Sequence, residues 1–512
     1  MALAPHLSHP INQDQLSRCS FVRDTLVRDG LYDGSDDLKT GPIGPNAHPT
    51  DQAVTTRWRI APSPLQLPPQ EAAFLESLGR HLLAFYRALN RLYQESLRGA
   101  QPAWVAGYLD QGKPESLLTY SRMKRFRDLT PTVIRPDIMP TNGGMVITEL
   151  DSVPGGIGLT AAMAHAYARL DLPSGASTFH PSRFTPHADI LGGADGMVQG
   201  FTRMVRAQIG DRTGCVAIVV SEEAKDYRPE MTWMAARLRE QGLDAYCVDP
   251  RDLRFTEETL FATLEGRDRP VALVYRFFEL FDLKNVPKAE LVMYSAKKDR
   301  VSVTPPFKPA LEEKLAFALF HHPILAPFWK RELGDESYPI LAGVLPRTWV
   351  LDPSPLPPSA VIPDLRVGGR AVADWRDLAG ATQKDRHYVV KPSGFSELAW
   401  GSRGVSVGHD LPQSEWAAVL DKALASFSVT PYILQEFHKG RQFESAYYDA
   451  RKDDVVPMAG RVRLSPYYFV AGDRVELAGT LATLCTPEKK LIHGMKDAIM
   501  VPCAAAPSNV QL

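Results

Sequence analysis

Apolar positions along the chain fall into repeating patterns. Phe74, Leu78, Leu82, Phe85, Leu89 and Leu92 recur every three or four residues, which predicts one amphipathic helix. Glu71 and Glu76 stand early in it and Arg91 late, as the helix dipole prefers. Residues 132–134 and 145–148 read as short strands about Asn142-Gly143-Gly144, a hairpin signal. Pro154-Gly155-Gly156 breaks the chain before a small-residue helix over 159–170. Residues 215–220 are an unbroken apolar run, as expected of a buried parallel strand. A helix over 231–241, a strand over 244–248 and a third strand over 273–278 follow. This succession predicts a small doubly wound sheet. No GxGxxG follows its first strand, so a dinucleotide site is not indicated.

A further helix is expected over 308–320, and the proline-rich run 353–363 marks a boundary. Strands over 388–391, 405–407, 432–435, 443–448, 464–470 and 478–484 then alternate with turns. Residues 1–70 are rich in Pro, Asp, Gly and Ser and lack periodicity. They read as a partly ordered arm that packs late or not at all. The predicted division is an arm (1–70), a helical segment with the acidic strands (71–205), an α/β unit with connecting helices (206–345), and a strand-rich nucleotide lobe (346–512). The fold class is α+β with an α/β component.

Composition narrows the function classes. The chain has 512 residues, 44% hydrophobic and 23% charged, ordinary for a globular protein. Lys plus Arg (58) balances Asp plus Glu (59), so no global field recruits nucleic acid or an anionic membrane. The five cysteines include no CxxC pair, which argues against zinc and a disulfide framework and for reduced thiols in a cytoplasmic protein. No signal peptide is read at the N-terminus, and no run approaches the length of a membrane helix.

Two segments carry chemistry. Arg135-Pro-Asp137 and Glu149-Leu-Asp151 lie on the two hairpin strands, and residues two apart on a strand share a face. Three carboxylates on one face repel unless a cation neutralises them. Such oxygen donors suit Mg²⁺, which fills its other positions with phosphate and water. Arg135 could steady the cluster or contact a transferring phosphoryl group. The alternative is a solvated hairpin edge.

The second segment is Val389-Val390-Lys391-Pro392, then a loop with Ser393, Gly394, Gly401 and Gly404. Glycines let backbone N–H groups approach phosphate, and Lys391 and Arg403 place a cation at each end. It is not a Walker A loop; the alternative is a long hairpin turn. Gln435, Glu436, Phe437 and Glu444 follow on strands that could meet adenine and ribose, or form a surface turn. Arg461 and Arg463 could face a substrate carboxylate. His493-Gly-Met-Lys496-Asp497 is a polar cluster, either a substrate contact or a surface turn.

In this order the segments resemble the ATP-grasp superfamily, specifically its circularly permuted branch, which includes the synthetase domain of glutathionylspermidine synthase. That branch places Arg-x-Asp ahead of Glu-x-Asn, and then the nucleotide lobe. Here Glu149 stands twelve positions after Asp137, and Asp151 stands where the family has Asn. The "VKP" lysine matches Lys391 and the flap matches 393–404, with 397–400 as an insertion. The "QE" strand matches Gln435-Glu436, and "GxxxE" matches Gly440 to Glu444. Lys314 is similar to the second nucleotide lysine, with Lys308 its rival. Residues 215–250 resemble a pre-ATP-grasp domain. The resemblance spans roughly 75–500. It implies ATP and Mg²⁺ as cofactors, Asp137, Glu149 and Asp151 as metal ligands, and small-molecule carboxylate and amine substrates joined through an acyl phosphate. It implies Arg135 and Arg403 as catalytic groups. Two further expectations are a nucleotide-binding protein without catalysis and a phosphotransferase.

Overall fold

The computed structural model describes residues 10–33, 57–170, 189–489, 492 and 496–507. Its largest sheet has nine strands. Along its main path the order is Arg57–Arg59, Lys496–Ala505, Arg474–Cys485, Asp454–Ala471, Val133–Thr141 and Gly144–Asp151. The expected hairpin is its edge, turning at Asn142-Gly143. The expected amphipathic helix is Pro69–Leu97, and its apolar face buries Leu78, Leu82, Phe85 and Leu89 in the main core. Gly79 lets this helix approach the sheet, because a Cβ there would meet the Tyr468 ring at 2.6 Å.

The doubly wound unit is present. Ala245–Val248, Cys215–Val220, Arg267–Phe277 and Ser302–Thr304 pair in that order, all parallel. Val216, Ile218 and Val220 pack into the main core, while Cys215, Ala217 and Val219 face a second one. Burial on both faces is why this strand reads as a continuous apolar run. A separate antiparallel sheet forms the strand-rich lobe, in the order Thr348–Val350, Tyr432–Glu436, Tyr388–Pro392 and Ser406–Val407. Helix Gln413–Ala425 contributes Trp416, Leu420, Ala423 and Leu424 to its own core.

Three expectations change. Part of the supposed N-terminal arm is integral: helix Pro10–Arg28 buries Cys19, Val22 and Leu26 in the main core. Arg57–Arg59 and Leu65–Leu67 pair with the strand Lys496–Ala505. Polar composition concealed this, since few apolar residues suffice to dock an element onto an existing sheet. The helix expected over 308–320 is instead a 3-10 turn, Pro309–Leu311, and a short helix, Ala316–His321. Between them the N–H of Lys314 donates to Ser393 O at 2.8 Å rather than back along a helix. Finally, the strand-rich lobe is divided, because Gln442–Asp449 and the strands after it join the nine-stranded sheet. Residues 493–495 of the polar cluster lie outside the described residues; Asp497 pairs with Arg59 at 3.3 Å. Among the described residues, no helix is long and apolar enough to cross a membrane.

Candidate active site

Strand register builds the acidic cluster. Arg135 lies opposite Asp151 and Asp137 opposite Glu149, so all four side chains share one face of the hairpin. The Arg135 guanidinium bridges them: Nε is 3.2 Å from Asp137 Oδ1, and Nη2 is 3.1 Å from Asp151 Oδ2. The neighbouring strand adds Arg463, 3.2 Å from Asp137 Oδ2, and the Ser465 hydroxyl, which donates to Oδ1 at 3.1 Å. Burial would raise the Asp137 carboxyl, but the two arginines outweigh it and hold it below the usual range.

Lys314 and Lys391 converge on adjacent residues of this hairpin. Lys314 Nζ is 2.9 Å from Glu149 Oε1. Lys391 Nζ donates to Thr148 O at 2.8 Å. Burial pushes the Lys391 ammonium down to about 8, Glu149 opposes this, and Lys314 adds to it. Lys308, the rival, is elsewhere. It is buried, pushed down to about 7 by that burial, and its Nζ bonds to Asn90 Oδ1 and to the carbonyls of Arg127 and Leu129. It holds the helix Pro69–Leu97 to the segment before the hairpin.

Sequence reasoning missed several charged neighbours. Glu279 follows the end of the parallel strand Arg267–Phe277, and burial pushes its carboxyl up to about 8, with Asp151 and Glu312 adding to the rise. Burial also raises Glu312, against the pull of its ion-pair partner Arg276. Asp151 is raised by burial and by Glu149, against Arg135. The available signal was position: ligand groups gather beyond the carboxyl ends of parallel strands. Glu230 accepts the N–H groups of Gly156 at 2.7 Å and Leu159 at 3.0 Å, fixing the turn that follows Asp151. Tyr467 donates to Gly155 O at 2.7 Å and steadies the same turn.

This charge balance bears on whether a metal fits. Asp151, Glu279 and Glu312 all sit above their ordinary values, with burial the largest cause of each rise. A hard dication would favour their charged forms. Among the described residues, no group of three or more His, Cys, Asp or Glu side chains could hold a metal ion by itself. Glu149 and Asp151 are oxygen donors of the kind Mg²⁺ takes together with phosphate and water, and here they pair with Lys314 and Arg135. Asp137, expected as a third ligand, is enclosed by Arg135, Arg463 and Ser465.

The glycine-rich loop is only partly as expected. Ser393 is fully buried: its hydroxyl donates to Glu313 and accepts from Leu315 N–H at 2.9 Å. Its N–H donates to Pro431 O at 2.9 Å, so it has nothing left for a ligand. Gly394 packs on the 312–313 backbone and side chain. Gly401 has φ +62°, and Gly404 lies against Leu398 O and the Pro392 ring. Arg403 is outside the acidic cluster. It pairs with Glu223 at 3.2 Å, half-exposed, and lies over Trp400 at 4.9 Å. Trp400 in turn meets Tyr227 edge-on at 6.4 Å, which closes the loop against the parallel-sheet unit. Gln435 is buried with its amide on the Thr348 hydroxyl at 3.1 Å. Glu436 and Phe437 are half-buried at the end of that strand, Phe437 4.5 Å from the His409 ring. Glu444 is exposed on Gln442–Asp449, in the other sheet.

No family model matches this sequence, and no curated protein matches it. Its fold is similar to that of a solved glutathione synthetase-like structure. A glutathione synthetase-like effector from Globodera pallida, solved in its apo form, superposes with a TM-score of 0.55 at 10% identity over 99% of this chain and 100% of that one. A Methylobacillus flagellatus protein described as a gamma-glutamylcysteine synthetase covers 81% of this chain and 86% of its own, at 11% identity and a TM-score of 0.39.

Proposed function

We propose that this chain is an ATP- and Mg²⁺-dependent ligase joining a small-molecule carboxylate to an amine. We further read it as a circularly permuted ATP-grasp enzyme whose parallel-sheet unit is a pre-ATP-grasp domain, acting in the cytoplasm. One observation carries this reading. Lys391 and Lys314 come from separate elements, yet meet at Thr148 and Glu149, two residues from Asp151, and Lys314 also donates to Ala399 O in the loop 393–404 at 3.2 Å. Two lysines facing two carboxylates is an arrangement for a phosphate chain with its counter-ion.

In this mechanism Glu149 and Asp151 would hold Mg²⁺, which would offset phosphate charge. Lys314 and Lys391 bind the phosphates. Glu436 and Phe437 border the base, and the loop with Trp400 excludes water. Arg135 and Arg463, oriented by Asp137, receive the substrate carboxylate. A carboxylate oxygen attacks the γ-phosphorus and ADP leaves. The amine then attacks the acyl carbon, phosphate leaves, and the amine gives up a proton. The chain's part is positioning and charge stabilisation.

The test is an ADP-release screen of amino acids, polyamines and peptides with Mg²⁺. Release that requires one carboxylate and one amine supports the reading; its absence across the screen, with ATP bound, overturns it. A second reading, nucleotide binding without ligation, draws on the ion pairs by which chain cations already neutralise Asp137, Glu149 and Asp151. A stable phosphorylated product without an amide would instead select a phosphotransferase.

A further inference from the structure

Glu313 precedes Lys314 and has no part in the chemistry above. Its carboxylate is 2.6 Å from Lys113 Nζ, with side-chain exposures of 1% and 0%. Lys113 comes from a distant place, the turn between helices Ala103–Asp110 and Glu115–Ser121. The other bonds of Glu313 run to the glycine-rich loop. Oε2 accepts the Ser393 hydroxyl, and Oε1 accepts Phe395 N–H at 3.3 Å. In return, Ser393 accepts Leu315 N–H on its hydroxyl and Lys314 N–H on its carbonyl. Four hydrogen bonds thus lace 313–315 to 393–395. The two backbones approach so closely that a Cβ on Gly394 would meet Glu312 O and the Glu313 carboxyl carbon, each at 2.7 Å.

A buried ion pair is a poor way to gain stability, since well-packed apolar residues do as well or better. What this pair supplies is geometry: a carboxylate whose oxygens are all directed at fixed donors. Lys314 leaves this lacing on one strand of chain, and Lys391 enters it two residues before Ser393 on the other.

We infer that Glu313, clamped by Lys113, is a positioning residue that keeps Lys314 and Lys391 in one fixed relation, so that both meet the same phosphate chain. This rests on the nucleotide reading of those two lysines and says how their site stays assembled.

The test uses the full chain. Hydrogen exchange of residues 393–404 is measured without ligand, and Mg-ATP affinity by calorimetry, in E313Q, E313D and S393A. E313Q should raise loop exchange at least tenfold and weaken Mg-ATP at least tenfold, and E313D should recover part of both. S393A deletes one buried oxygen and should shift both readouts in the same direction by less. Folded E313Q and S393A with wild-type exchange and affinity would overturn the inference. If E313Q fails to fold, S393A decides by the same criterion. If the wild-type chain binds no ATP, the proposed function falls, and loop exchange still judges the clamp.

Discussion

Lys314 and Glu149 form an ion pair of 2.9 Å that ties the turn after Pro309–Leu311 to the acidic hairpin. The pair must open if Glu149 is to hold a cation while Lys314 holds phosphate. In the proposed function this pair would fill the site until nucleotide and metal bind. Glu149→Ala is expected to abolish Mg²⁺-dependent ADP release while circular dichroism stays unchanged, because Glu149 is only partly buried. Wild-type turnover in this variant would remove Glu149 from the site.

Lys391 predicts a pH dependence. Burial holds its pKa near 8 in the folded chain, with Lys314 adding to the depression and Glu149 resisting it. Phosphate favours the charged lysine. Mg-ATP affinity should therefore be full below about 8 and fall as pH rises through it, by up to about tenfold per unit. Stability moves the other way. An unfolded lysine keeps its proton to about 10.4, so the unfolded state binds more protons between about 8 and 10.4, and folding gains as pH rises through that window. Calorimetry across pH 6.5 to 9.5, the range about this transition, should show the inflection in wild type and none in Lys391→Met.

Asp137 is enclosed by two guanidiniums and a hydroxyl rather than left open to a metal. Asp137→Ala would leave Arg135 and Arg463 without their shared counter-charge. Breaking a buried pair from one side costs about 3–5 kcal/mol. A loss of that order in denaturant unfolding, together with lost turnover, is expected. If Asp137 were only a metal ligand, the variant would lose turnover with stability unchanged or increased.

Gly155 and Gly156, in the turn after Asp151, have no room for a side chain. A Cβ on Gly155 would lie 2.1 Å from the Tyr227 ring, and Gly156 has φ +87°. Gly155→Ala should cost about 1–3 kcal/mol, as overpacking does. It should also lower turnover by displacing Tyr227 and, through it, Trp400. Unfolding and ADP release measured on the same preparation check both.

Arg403 offers a contrast. Its pair with Glu223 is half-exposed, and such pairs contribute about 0–1 kcal/mol. Arg403→Ala should leave the unfolding midpoint nearly unchanged. A fall in kcat without a change in stability would give Arg403 a role in closing the loop over substrate. Unchanged kcat would leave it a surface contact.

Much of this was legible from local pattern. Periodicity placed the helix Pro69–Leu97, the hairpin and the parallel strand Cys215–Val220, because period and turn chemistry belong to neighbouring residues. The alternation across Asn142-Gly143 also put Arg135, Asp137, Glu149 and Asp151 on one face, which the register bears out. Ser393 is the converse case. A small polar residue beside glycines reads as a phosphate contact, yet its N–H, carbonyl and hydroxyl are all consumed by distant partners.

By itself, then, the sequence determined which strands and turns form and which charges share a face. It could not determine which cation meets which carboxylate. Lys391 and Thr148 are 243 positions apart, and Ser465 and Asp137 are 328 apart. Nothing in local propensity brings such groups together. Only the packing of the sheets through the helices between them does so, because burying apolar faces there fixes where the charged strand ends fall. That packing set Asp137 between Arg135 and Arg463. It also left Glu149 beside Lys314, and gave Glu313 its buried partner.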